Sequence, residues 1–246
     1  MNRHALTDEQ WATVYERFPQ RRGPRSEESD RQFVDAVVWI ARTGVPWRDL
    51  HEGFGAWKTI YNRFRNWALR GWWADIFRDG QFEDDVGSIM DASIVRAHQD
   101  AAGGRGGPET NGIGRSRGGF STKLHAVVSL EGRPIELRIT PGQRHEATVA
   151  EDLLDFVRGG QCLADGGYDS DRILLAARQR DLKLIVPPSK CRKRKRRIDR
   201  ELYGLRYRVE VFFHSLKRFR RIATRYDKTA ICYASFLHVV CTMLSL

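Results

Sequence analysis

Three carboxylates in unlike surroundings offer the clearest chemistry in this chain. Asp91 lies in the run Ser88-Ile89-Met90-Asp91-Ala92-Ser93-Ile94-Val95, where apolar neighbours make a charge costly unless it has a partner or a task. Asp165 ends Gln161-Cys162-Leu163-Ala164-Asp165 and precedes two glycines. The C-terminal end of a strand is where open α/β sheets bind ligands. Tyr203, Arg206, Glu210 and Lys217 follow at intervals of 3, 4 and 7 residues, a spacing that puts all four on one narrow face of a single helix. Carboxylates converging on one point can hold two Mg²⁺ ions about 4 Å apart around a scissile phosphate, since Mg²⁺ is a hard ion that takes oxygen ligands. Arg206 and Lys217 would then stand near phosphate oxygens. Each feature alone has a plainer reading: an Asp at a strand end forms turns, and a charged helix stripe forms surface ion pairs.

Elements able to position these residues are legible on either side. All seven tryptophans, Trp11, Trp39, Trp47, Trp57, Trp67, Trp72 and Trp73, fall in the first 80 residues, which read as short helices with a tryptophan-anchored core. Thr7 with Gln10 forms a capping box, helices are expected over 29–43, 56–69 and 72–82, and Gly44 and Gly71 end the first two. Short helices joined by tight turns and decorated with Arg suit a helix-turn-helix DNA reader. From Ser88 the pattern becomes β-loop-β-β-α-β-α-β, with strands at 88–95, 122–130, 134–140, 161–165 and 182–186. Helices are expected at 146–157 and 170–180. That order predicts an α/β fold, an RNase H-like mixed five-stranded sheet flanked by helices and preceded by a small all-helical domain. The expected division is 1–82, helix-turn-helix-like and DNA-binding, and 83–246, catalytic. One continuous helix is expected from about Asp199 to Lys217, anchored by Val209, Phe212 and Phe213, and a last apolar helix over 233–246.

Residues 101–119 contain eight glycines in nineteen positions, which predicts a mobile loop carrying Arg105, Arg115 and Arg117. The net charge of +11 is concentrated late: residues 183–228 hold 17 Lys and Arg against 4 Asp and Glu. Its densest part, the basic segment 190–200 with Arg192, Lys193, Arg194, Lys195, Arg196 and Arg197, is an electrostatic footprint for nucleic acid. Cys162, Cys191, Cys232 and Cys241 show no CxxC pairing, so four reduced thiols are expected. The chain has no run of about 18 apolar residues and no secretory signal at its start. These features predict a soluble cytoplasmic protein with no membrane partner.

The motifs together resemble transposases of the insertion sequence 5 family, in the broad group related to insertion sequence 4. Tyr203, Arg206, Glu210 and Lys217 match a Tyr-x2-Arg-x3-Glu-x6-Lys signature in full. Leu163-Ala164-Asp165-Gly166-Gly167-Tyr168-Asp169-Ser170 is similar to the second acidic motif, and Met90-Asp91-Ala92-Ser93 through Arg96-Ala97-His98 to the first. Leu6 to Trp11, Arg42 to Leu50 and Gly55 to Tyr61 resemble the preceding helical domain, so the likeness covers nearly the whole chain. The 45 residues from Asp165 to Glu210 leave no room for the large inserted β domain of some relatives.

The resemblance implies a DDE catalytic core with Asp91, Asp165 and Glu210 as metal-binding catalytic residues. Two Mg²⁺ ions, with Mn²⁺ as substitute, would serve as cofactor for endonuclease and polynucleotidyl transferase steps. The partners implied are double-stranded DNA, as terminal inverted repeats and target, and a second copy of the chain as a homodimer on DNA. The setting implied is the bacterial nucleoid. Tyr203, Arg206 and Lys217 would contact DNA; Tyr203 could stack on a displaced base, and His98 and His145 fit structural hydrogen bonding. Three rival readings are a catalytically dead DNA-binding regulator, a nuclease of the same fold that cuts without joining, and a basic RNA-binding protein. The last explains the charge and leaves the carboxylate spacing unexplained.

Overall fold

A computed structural model describes residues 4–19, 26–81, 86–189, 192 and 197–246. In chain order it forms the helices α1 (Asp8–Tyr15), α2 (Glu27–Thr43), α3 (Trp57–Arg70) and α4 (Trp72–Arg78), then strand β1 (Ser88–Ala97) and a helical turn α5 (Gly107–Thr110). Strands β2 (Gly114–Ser116), β3 (Gly119–Ser129) and β4 (Pro134–Pro141) follow, then α6 (Ala150–Leu154), β5 (Gln161–Ala164), α7 (Asp171–Arg178) and β6 (Lys183–Ile185). The last elements are α8 (Arg200–Gly204), α9 (Tyr207–Lys217), α10 (Arg220–Ala223), β7 (Thr224–Arg225) and α11 (Ala230–Leu244). They gather into two compact units: Met1–Gln81 with Arg96–Asn111 and Leu216–Leu246, and Phe82–Val95 with Gly112–Ser215. No helix among the described residues is long and apolar enough to cross a membrane.

In the first unit, local signals start and stop the helices. Thr7 and Gln10 make the capping box of α1, and Ser26 caps α2 by accepting from Ser29 N. Gly44 and Gly71 close α2 and α3 with left-handed φ of 71° and 78°, a conformation that favours glycine. The buried face of α2 (Phe33, Val37, Ile40, Ala41) meets an aromatic cluster: Phe33 lies 5.1 Å from Trp67, and Trp67 4.9 Å from Trp73. The C-terminal helix completes this core, with Phe236 of α11 at 4.5 Å from Phe64 and 5.8 Å from Trp47, and His238 stacked on Phe77. Each such large side chain contributes about 2–3 kcal/mol of apolar burial.

In the second unit, the sheet runs β2-β3-β1-β5-β6, with β4 also on β3. β1, β5 and β6 are parallel, and β3 and β4 form an antiparallel hairpin whose turn uses Gly132 at φ 88°. Met90, Val127, Leu153, Leu154, Cys162, Ala164 and Ile173 are buried in one core cluster. The mixed sheet flanked by helices agrees with the expected class. It has seven strands rather than five, because β2 pairs with the start of β3 and, among residues of the first unit, β7 pairs with the last two residues of β1.

Three sequence expectations are corrected. Segment 101–119 is anchored and partly regular, with Ala101 and Ile113 buried and α5 and β2 within it, although many of its residues are exposed. Asn111, 7% exposed, donates to the carbonyls of Arg105 and Gly107, both at 2.9 Å, and its Oδ1 accepts from Ala230 N. Buried Arg225 donates to the Asn111 carbonyl at 2.8 Å. The helix expected from Asp199 to Lys217 is two helices, broken at Leu205 and Arg206, where Gly204, a poor helix former, precedes the bend. The helix expected at 146–157 is a 3-10 turn, Glu146–Thr148, followed by the short α6. Cys162, Cys232 and Cys241 are free and buried as expected, while Cys191 lies outside the described residues.

Candidate active site

Strand register brings the two aspartates together. The parallel ladder of β1 on β5 pairs Ser88 with Cys162, Ile89 with Leu163 and Met90 with Ala164, so Asp91 and Asp165 are the next residues on adjacent strands. Neighbouring strands run about 4.8 Å apart. Asp165 caps a 3-10 turn, Gly166–Tyr168, by accepting from Gly167 N at 2.9 Å. Asp91 accepts from Ala92 N at 2.8 Å, and its side chain is 14% exposed. Burial raises its pKa above the usual carboxylate value; the Ala92 N–H and then Arg206 oppose this, while Asp165 and Glu146 add to it.

Glu210 arrives from α9. Val209, Phe212 and Phe213 are buried on that helix while Glu210 is half-exposed, and Arg208, two residues before Glu210, donates to the Leu130 carbonyl in the β3–β4 turn. Arg206, in the break before α9, ties the set together. Its Nη1 meets Asp91 Oδ2 at 2.8 Å and its Nη2 meets Glu210 Oε1 at 2.6 Å. Burial works against its charge, yet Asp91, Tyr203, Glu210 and Asp165 together raise its pKa. Tyr203, in α8, is half-buried with its pKa raised by burial and then by Asp165 and Asp91, against the pull of Arg206. Because the helix is broken, Arg206 reaches the carboxylates from the turn, while Tyr203 stays on the short helix before it.

Lys217 ends α9, and burial lowers its pKa; the residues from Leu216 onward belong to the first unit. Arg192 pairs with Asp169 at 2.9 Å and Asp171 at 2.7 Å, whereas Arg197 is exposed. Lys193, Arg194, Lys195 and Arg196 lie outside the described residues. His98 and His145 each cap a 3-10 turn through Nδ1, accepting from Asp100 N and Ala147 N, in keeping with their structural reading.

The chemistry of the donors fits a hard divalent cation: Asp91, Asp165 and Glu210 offer only carboxylate oxygens, and burial, with a smaller push from Asp165 and Glu146, makes Asp91 harder to ionise. Among the described residues no three His, Cys, Asp or Glu side chains converge closely enough to enclose an ion as they stand; the Arg206 guanidinium stands between Asp91 and Glu210. Glu146, the residue bonded to Lys123, escaped sequence reasoning. It opens a 3-10 turn after an antiparallel strand, and no spacing rule links it to Asp91.

Comparison with known proteins supplies the family. Residues 6–77 match the model for transposases of the IS4/5 family, and residues 83–243 match the transposase DDE domain. A Brucella ovis protein named as the transposase for insertion sequence element IS6501 is 39% identical over 129 residues, 51% of this chain and 98% of that protein. The uncharacterised protein y4sN of Sinorhizobium fredii is 37% identical over 110 residues, 43% of this chain and 86% of its own length. A Burkholderia cepacia protein named as the transposase for IS402 is 28% identical over 151 residues, 56% of this chain and 69% of its own. No solved structure gives a significant match. With the two models following one another along the sequence, and the aspartates aligned on adjacent strands of the second, the chain belongs to the DDE transposases of insertion sequences, of the IS4/5 type.

Proposed function

We propose that this transposase binds the terminal inverted repeats of its element and catalyses metal-dependent cleavage and strand transfer, with Asp91, Asp165 and Glu210 as the catalytic carboxylates. The observation that carries the reading is the convergence of residues far apart in sequence: Asp91 beside Asp165 by register, and Asp91 bridged to Glu210 through Arg206. Two Mg²⁺ ions, or Mn²⁺ in their place, held by the three carboxylates would supply the charge that activates an attacking oxygen and stabilises the phosphate in an in-line displacement. Water attacks at the element end and frees a 3′-hydroxyl, which then attacks a phosphodiester of the target. As Asp91 and Glu210 turn to this task, Arg206 is released as a two-pronged donor for a phosphate oxygen. Tyr203 beside it offers a ring to a displaced base.

Residues 1–82 read the inverted repeats in this proposal, and 83–246 carry the chemistry. Lys217 and the basic stretch from Arg192 through Lys193, Arg194, Lys195 and Arg196 to Arg197 add salt-dependent hold on the DNA backbone. Two element ends call for a homodimer on DNA, acting in the bacterial cytoplasm at the nucleoid. The test is incubation with Mg²⁺ and supercoiled DNA carrying the element ends, beside a Glu210→Ala chain. End-specific cleavage and joining that vanish in Glu210→Ala are the expected result. DNA that is bound and never cut by the unaltered chain, with Mg²⁺ or Mn²⁺, refutes the catalytic reading and leaves a DNA-binding regulator.

A further inference from the structure

Glu146 and Asp165 share one small gap beside Gly167. A methyl group placed on Gly167 would lie 3.0 Å from Asp165 Oδ1 and 3.3 Å from Glu146 Oε2, so both carboxylates reach the same spot and a side chain there would crowd them. The other oxygen of Glu146, Oε1, is held by Lys123 Nζ at 3.2 Å. Lys123 lies on β3 and its side chain is 11% exposed, so the pair is sheltered and the direction of Oε2 is fixed. Glu146 is also close enough to Asp91 to raise its pKa, alongside Asp165.

A second observation comes from the residue that follows Gly167. Tyr168 is fully buried, and its hydroxyl has no hydrogen-bond partner. A buried hydroxyl left unpaired is costly, and a bound ion or water is one of the arrangements that account for such a group in a native protein. Burial, then Glu146, Asp91 and Asp165, push the phenol pKa well up, so this hydroxyl lies within electrostatic reach of all three carboxylates as a proton donor.

We propose that Glu146 is a fourth carboxylate ligand of the divalent-ion site, presenting Oε2 beside Asp165 while Lys123 holds Oε1. The buried Tyr168 hydroxyl would donate to an oxygen at this group of carboxylates. The inference rests on the placement of the metal site at Asp91 and Asp165 and adds a ligand that the three-carboxylate set lacks. Lys123 has a definite part: its charge restrains Glu146 and opposes a cation, so it tunes affinity downward.

The test is Mn²⁺ binding to the full chain without DNA, followed by the electron paramagnetic resonance of free Mn²⁺, with circular dichroism to verify folding. Asp165→Asn checks the underlying site, and loss of Mn²⁺ binding is expected. Glu146→Gln is expected to weaken Mn²⁺ about tenfold or more, as loss of a metal-site partner does. Lys123→Gln is expected to tighten it several-fold, because a competing positive charge is gone. Opposite signs from two partners of one ion pair separate a ligand from a structural brace, whose loss from either side loosens the site. If Asp165→Asn abolishes binding and Glu146→Gln leaves it unchanged, the fourth ligand is refuted and the three-carboxylate site stands. If Glu146→Gln and Lys123→Gln weaken binding alike, the pair is a brace and the proposal fails. If Asp165→Asn binds Mn²⁺ as the unaltered chain does, the site itself is misplaced and both readings fall.

Discussion

Asn111 is the residue on which the order of the glycine-rich segment depends, and Asn111→Ala tests it. The substitution removes three hydrogen bonds: two from the amide to the carbonyls of Arg105 and Gly107, both 2.9 Å, and one at 3.2 Å from Ala230 N to Oδ1. A hydrogen bond at a buried site nets about 1 kcal/mol, more when a partner is stranded. Three of them make local opening about 3 kcal/mol easier, or roughly 100-fold at 1.4 kcal/mol per factor of ten. The assay is limited trypsin digestion of the full chain, timing cleavage after the exposed Arg105. A protease acts on the transiently opened segment in proportion to its population, so this cut should accelerate about 100-fold. Cleavage after Arg117, exposed beyond β2 in the other unit, serves as the internal reference and keeps its rate. Cleavage at Arg105 as fast in the unaltered chain as in Asn111→Ala would show the segment to be unrestrained, and the reasoning would fail.

Acid should destabilise the second unit through His125, which is fully buried with Nε2 2.9 Å from Thr140 Oγ1 and has its pKa held down at about 4 by burial, then by Lys123. The unfolded chain takes up this proton near pH 6.5, so the contribution is complete above pH 6.5 and falls as pH drops towards 4. The loss is about 3 kcal/mol; denaturant melts of the unaltered chain and His125→Gln should converge over that window, and parallel curves would count against the assignment. Gly44→Ala places a methyl 2.9 Å from Arg220 Cβ at a φ of 71°. Strain and overpacking together should cost about 2 kcal/mol, read as a lower denaturation midpoint, and an unchanged midpoint would refute the close approach.

The two aspartates were legible because each sits where apolar alternation or a glycine pair makes a charge conspicuous, and strand register then did the rest. Glu210 was legible from its spacing, yet the helix carrying it was not. Periodicity continues unbroken through Gly204, Leu205 and Arg206, and only the local backbone shows the turn that lets Arg206 reach Asp91. The glycine-rich segment misled for the opposite reason: eight glycines raise the entropy of the unfolded chain, while Asn111 within it and buried Arg225 with Ala230 N, from far along the sequence, supply the fixing bonds. Arg192 read as part of a basic run, and its pairing with Asp169 and Asp171 depends on a loop that composition does not reveal. Glu146 was invisible because its partners come from β3, β1 and the turn after β5.

The late helix α11 packs its Phe236 on Phe64 and Trp47, and this fixes an order of maturation during translation. The first 81 residues leave the ribosome early, but the side chains that cover their aromatic cluster are made more than 130 residues afterwards. At about 5–20 residues per second, the early helices wait on the order of ten seconds or more with that surface exposed. The strands bearing Asp91 and Asp165 are complete before the helical region they follow. A message broken before codon 216 therefore yields a polypeptide with uncovered tryptophan and phenylalanine, the kind of surface that chaperones retain and proteases clear. Full-length synthesis is thus a condition for a finished helical unit, enforced by packing alone.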